Sequence, residues 1–313
     1  AAKAVMVAQK LDAIMDVRGV FVGAVDISDS LSYSLDQLLQ VAAEQDLNQN
    51  AFADSVSVSA GGFTGDGVSN TSNSKVAVEF DTNAKAYAND VNVTALNKFT
   101  KGDGGNNLTI TGGGLLLSGM TPNSSTDITN VTTVDFKSGS SIEANKAKQK
   151  VASKPNYEMK INALNAVDAH DRIKVDAGGA VNVSVVKSNI TDNSTAKITV
   201  DNAKLSSVND MILNANGNAN ISADVAVSMY GAASAIGSDV FAGTTQNNTI
   251  SILNGGRVLS TGNLYANAGQ ARGEKSEKFN ISALSQIWNK TLIPITDNDA
   301  KASLITNNLI NID

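Results

Sequence analysis

The sequence predicts an all-β protein wound as a parallel β-helix, with one short α-helical element near the N-terminus. Apolar residues alternate along short runs that stop at glycines, which is the pattern of half-buried strands and turns. Blocks of such runs recur at an interval of roughly 50 residues, the mark of a stacked repeat. The 313 residues hold 42% hydrophobics but 4% aromatics, with Gly 25, Pro 3 and Cys 0. The core must therefore be built from Val, Ile, Leu and Ala, joined by Asn, Gly, Asp and Ser at the turns.

Two blocks carry the repeat. One alternates and closes on a glycine pair: Ser55–Gly62 (SVSVSAGG), Leu108–Gly114 (LTITGGG), Ile173–Gly179 (IKVDAGG) and Ile250–Gly256 (ISILNGG). The other places β-formers ahead of an alanine: Val91–Asn97 (VNVTALN), Met159–Asn165 (MKINALN), Met211–Gly217 (MILNANG), Asn220–Val225 (NISADV) and Phe279–Ser285 (FNISALS). Ala163 and Ala215 lie 52 residues apart, and Ala215 and Ala268 lie 53 apart. A longer match links Asn73–Asn97 with Asn193–Gly217. Several strand patterns fit inside one interval, so each unit is expected to make two or more turns of a coil. About ten coils after Ser74, stacked at about 4.8 Å, would give a rod on the order of 50 Å long.

Residues 1–54 read as N-terminal coils with a helical patch, and residues 55–313 as one continuous solenoid. Leu35, Leu38, Leu39, Ala42, Ala43 and Leu47 share one face of a helix over Ser34–Asn50, Ser34 and Gln37 form a capping-box pattern, and Tyr33 is placed to staple onto Leu38. Strand-like runs at Val5–Ala8 and Val20–Ile27 would belong to coils beneath that helix.

The net charge of -6 and pI near 4.9, without a basic cluster, exclude nucleic acid and anionic membranes as partners. No apolar run is long enough to span a bilayer. The first residues lack a signal-peptide layout, which suggests a piece of a longer protein. Absence of cysteine suits a long stack that needs no disulfides and would cross a membrane unfolded.

Candidate chemistry is sparse. The one histidine, His170, stands in Asp168–Ala169–His170–Asp171–Arg172, where Asp168 or Asp171 could support it as a general base; between two strand blocks, the same charges read as a solvated turn. One histidine makes no metal cluster. Carboxylates fall without a recurring register, and Tyr87, Tyr157, Tyr230, Tyr265 and Trp288 are too scattered to form a sugar track, which speaks against a polysaccharide lyase or glycosidase. Gly62–Gly67 and Lys101–Asn107 match no phosphate or calcium loop and read as turns. Asn-X-Ser/Thr occurs at Asn70, Asn92, Asn107, Asn123, Asn130, Asn182, Asn189, Asn193, Asn220, Asn247, Asn280 and Asn289, positions able to accept glycans where they are exposed. No catalytic, cofactor-binding or metal-binding residue is assigned. Recognition, if any, is expected on turns at Ser118–Asp127 or Gly231–Asn247.

Blocks such as Asn73–Asn97 and Gly217–Ile252 resemble the repeats of filamentous-haemagglutinin-like exoproteins of Gram-negative bacteria, particularly the leukotoxin-family filamentous adhesins. The resemblance covers most of the chain after about Ser55. It implies a right-handed parallel β-helix, passed through an outer-membrane secretion pore and then secreted or held at the outer cell surface. It further implies contact with a host cell-surface protein or glycan, as an adhesin or toxin, and no enzymatic activity. The alternatives are a carbohydrate-active β-helix enzyme and an autotransporter passenger.

Overall fold

Strict alternation of inward and outward side chains governs nearly every element. In the computed structural model, which describes residues 2–6, 35–102, 108–144, 158–269 and 278–313, the pattern along Gly67–Phe80 is exposed, buried, exposed, buried until the apolar run at its end. With a side-chain period of 2, a strand is the one regular structure that sends those residues to one side. The elements are β1 (Ala2–Met6), β2 (Leu35–Asn48), β3 (Ala53–Thr64), β4 (Gly67–Phe80), β5 (Lys85–Lys101), β6 (Leu108–Met120), β7 (Asn123–Phe136), β8 (Ser141–Ala144), β9 (Met159–Asp201), β10 (Lys204–Ser207), β11 (Met211–Leu253), β12 (Arg257–Ser260), β13 (Leu264–Ala268) and β14 (Phe279–Ile312). They form one 14-stranded sheet in which the pairings are parallel.

The expected helix is absent. Leu35–Asn48 is strand β2, parallel to β5 through pairs such as Leu39↔Val91 and Val41↔Val93. Leu39, Val41 and Ala43 are buried, so an inward period of 2 overlies the helical spacing of the leucines, and pairing with β5 decides between them. Ser34, Tyr33 and Val20–Ile27 lie outside the described residues; of Val5–Ala8, Val5 and Met6 are in β1, stacked on β4.

Repeat and register coincide, but each interval makes one layer rather than two. Ala43, Ala95, Ala163, Ala215 and Ala268 are successive partners in a single column. Val41, Val93, Ile161, Leu213 and Ala266 form the neighbouring inward column. The alanine-containing blocks thus stack directly. Five layers at about 4.8 Å make a stack on the order of 25 Å high, half the length expected, because each turn consumes all the strands of one interval. Of the glycine-pair blocks, Leu108–Gly114 lies on Ile173–Gly179. Ile250–Ile252 instead stacks on Ile198–Val200, so that fourth block belongs to a different column.

The sheet curls so that β4 and β5 face one another across a shared interior, where Ser74 Oγ donates to Asn97 Oδ1 at 3.0 Å. Aliphatic residues fill two clusters. One gathers Val76, Val78, Phe80, Val93, Phe136, Ile161 and Leu213; the other gathers Phe99, Leu108, Ile110, Ile173, Val175 and Val227. Phe80 and Phe136 stack with centroids 4.6 Å apart. At one corner the chain turns through left-handed residues in successive layers: Asn83 (φ 61), Gly139 (φ 77), Asn202 (φ 46) and Asn254 (φ 53). Asn tolerates this region, and at Gly139 the positive φ is taken by glycine without the strain a Cβ would bring, beside the Asn83 side-chain amide.

Candidate functional site

The Asp168–Arg172 segment is not a turn. It lies mid-strand in β9, so alternation splits it into Asp168, His170 and Arg172 outward, and Ala169 and Asp171 inward. The structure therefore gives His170 one of its two candidate partners and removes the other.

On the outer face, His170 Nε2 is 2.8 Å from Asp168 Oδ1 and its Nδ1 is 2.8 Å from Ser222 Oγ. Asn220 Nδ2 donates to the same Asp168 oxygen at 2.7 Å, and Asn280 donates to Asn220 at 2.9 Å. Ser222 comes from the next layer: it is the partner of His170 in the β9–β11 register, 52 residues on. The 52-residue interval, added to His170, would have found it.

A hydroxyl, an imidazole and a carboxylate in series can in principle move a proton off the hydroxyl. Acyl transfer also needs donors for a developing oxyanion. Around Ser222 the backbone of 220–224 is paired on one side with 168–172 and on the other with 280–284, which commits its N–H groups to the ladder. The cluster sits on the outer face of the sheet, with Asp168 half-exposed, where water is not excluded. Its evident chemistry is cross-layer hydrogen bonding.

The same holds for the asparagines. Asn214 donates to Asn162 at 3.0 Å and Asn267 to Asn214 at 2.8 Å, a ladder continued on the opposite wall by Asn307 donating to Asn247 at 2.8 Å. Among the sequons, Asn70, Asn130 and Asn182 are buried and Asn107 lies outside the described residues. The expected recognition turns are not turns: Gly231–Asn247 runs within β11 and Ser118–Asp127 is largely β6 and β7. A shallow cleft of about 350 Å³ opens instead beside Asn123, Ser125, Lys187, Asn189, Asp239 and Phe241.

Inside, a polar seam invisible to motif reasoning runs between the apolar clusters. Lys101 Nζ contacts the Asp171 carboxylate and donates to Thr126 Oγ1 at 2.7 Å, while Ser124 Oγ donates to Asp171 at 3.0 Å. Both charged side chains are wholly buried, and burial pulls the Lys101 ammonium down to about 8. Nearby, Asp192 accepts from Thr244 at 2.6 Å, Gln246 at 2.7 Å and Ser194 at 2.7 Å. Burial pushes its carboxyl up to about 6, against the opposing pull of those three donors. Among the described residues no group of three or more His, Asp or Glu side chains could hold a metal ion, and no helix is long and apolar enough to cross a membrane.

These features define a layered parallel β protein whose polar side chains tie one layer to the next. Compared with protein-family models, curated proteins and solved structures, the chain finds no match.

Proposed function

We propose that this chain is a structural segment of a large bacterial exoprotein of the filamentous-haemagglutinin-like kind. It is secreted or displayed at the outer cell surface, passes an outer-membrane pore during export, and contacts host cells without catalysis. In this reading the curled parallel sheet is a closed, right-handed β-helix. The observation that carries it is the five-layer alanine column: side chains this small, in register at every interval, suit a stack extended by adding layers, which is what a spacer requires. The outward hydrogen-bond ladders give the same result, since they join layers and enclose no substrate. The absence of cysteine suits export of an unfolded chain.

The test is binding of the labelled protein to epithelial cells and leukocytes, run beside incubation with acidic and neutral polysaccharides. Saturable cell binding without new reducing or unsaturated ends is expected. Product formation that His170→Ala abolishes would replace this reading with a carbohydrate-active enzyme.

A further inference from the structure

Lys101 and Asp171 meet as an amine and a carboxyl group sealed from solvent. Two such groups taken out of water are costly to keep ionised, even in contact. The enclosure is complete: Lys101, Ser124, Thr126 and Asp171 are each at most 1% exposed. The walls around them are apolar. Phe99 stands two residues before Lys101 on β5, and Ala169 and Ile173 flank Asp171 on the inward side of β9. The next layer closes over the pair with Ala223 and Ile190, the register partners of Asp171 and Thr126.

In such surroundings an ammonium gives up its proton easily, and burial pulls that of Lys101 down to about 8. Transfer of the proton to the touching carboxylate turns the ion pair into a neutral amine beside a neutral acid, the two reactants of an amide condensation. Holding them in contact removes the entropic part of the barrier, and a closed interior excludes competing water. The hydrogen bonds give the two carboxyl oxygens different surroundings. Lys101 Nζ lies against Oδ1 and is steadied by its bond to Thr126 Oγ1 at 2.7 Å. Oδ2 accepts from Ser124 Oγ at 3.0 Å and from Thr126 Oγ1 at 3.4 Å. Two hydroxyls on one oxygen are placed to hold negative charge as the carbon becomes tetrahedral. The other oxygen, beside the nitrogen, is placed to collect a proton from it.

We propose that Lys101 and Asp171 form an intramolecular isopeptide bond, a covalent tie between β5 and β9 that the folded chain makes on itself. After the proton transfer, the Lys101 nitrogen adds to Asp171 Cγ, giving a tetrahedral carbon with a negative Oδ2 and a hydroxyl at Oδ1. One proton on the nitrogen then passes to Oδ1 and the Cγ–Oδ1 bond breaks. One water departs, and Oδ2 becomes the amide carbonyl oxygen, still held by Ser124 and Thr126. The condensation consumes no oxidant, metal or second protein. The tie spans 70 positions of sequence, so it removes freedom from the unfolded chain. It also secures against separation two layers otherwise joined by hydrogen bonds and packing.

Freshly refolded chain holds the two side chains as an ion pair, and chemical denaturation of that chain reads the buried charges alone. The bond is read by mass, on whole chain kept folded at neutral pH and then denatured. The chain is expected to weigh less than its sequence by one water molecule. Tryptic digestion is expected to lose cleavage after Lys101 and to yield a branched peptide joining Lys101 to Asp171. Lys101→Arg keeps a cation but not the amine and should retain its full mass, as should Asp171→Ala. Full mass after prolonged incubation, with the native sheet intact by circular dichroism, would overturn the proposal. So would a water loss that Lys101→Arg shares, as cyclisation of an aspartate onto its own backbone would give, or a branch point at other residues. The branched peptide is sought in the unmodified chain, so this reading does not depend on whether the variants fold.

Discussion

Strands β11 and β14 have the same backbone register over more than thirty residues but opposite surroundings. β11 lies between two layers, and its inward residues Leu213, Ala215, Ile221, Val227 and Ile250 are closed off from solvent. Among the described residues β14 lies on one layer: Ile281 and Ile287, the partners of Ile221 and Val227, are only partly buried, and the inward Leu304, Ile310 and Ile312 are 48%, 44% and 71% exposed. Burial in this fold is thus conferred by neighbouring layers and not by the strand itself. A residue's energetic weight depends on its layer more than on its type.

The largest effect should come where charge is enclosed by layers on both sides. Lys101→Met leaves the Asp171 carboxylate buried without its cation and is expected to cost about 3–5 kcal/mol in chemical denaturation. Combining it with Asp171→Leu should recover most of that loss, because the desolvated charge disappears with its partner. Next in size is a pair of identical chemical changes. Leu213→Ala, in the wholly buried position, should cost about 2–5 kcal/mol, and Leu304→Ala, half-exposed on β14, below about 1 kcal/mol. Equal costs would show that a further layer covers β14.

A further effect depends on pH. The native Asp192 carboxyl titrates near 6 against an ordinary value of 3.8, so between these values the folded chain binds more protons than the unfolded one. Stability attributable to Asp192 is therefore greatest at low pH and falls as pH rises through about 4 to 6. Asp192→Asn should flatten that decline and raise stability at neutral pH by about 2 kcal/mol. A melting-temperature profile of the variant parallel to that of the unmodified chain would refute this.

Much of the stack was legible in the sequence because its spacing is arithmetic: the alanines at 163, 215 and 268 are direct register partners. The number of turns per interval was not, since strand patterns do not say where the chain bends back. Leu35–Asn48 misled for a related reason. Leu, Ala, Glu and Gln favour helix locally, while the pairing that overrides them lies 52 residues away in β5. For the polar residues, alternation alone predicts that His170 and Asp171 face opposite sides. Finding Ser222 required adding the interval, and finding Lys101 beside Asp171 required knowing that the preceding interval is longer. Partners Asp90 and Glu158, near the start of that layer, are 68 residues apart in sequence, with extra residues between β8 and β9.

Those intervals also set a kinetic problem. Among the described residues no ladder pairing spans fewer than 52 positions, so the sheet contains no hairpin from which folding could begin. Loop closure on this scale must be completed before any interlayer bond is made. A first pair of layers is therefore the slow nucleus, and each later layer adds to a surface already formed. The chain should refold slowly with a long lag and then advance layer by layer.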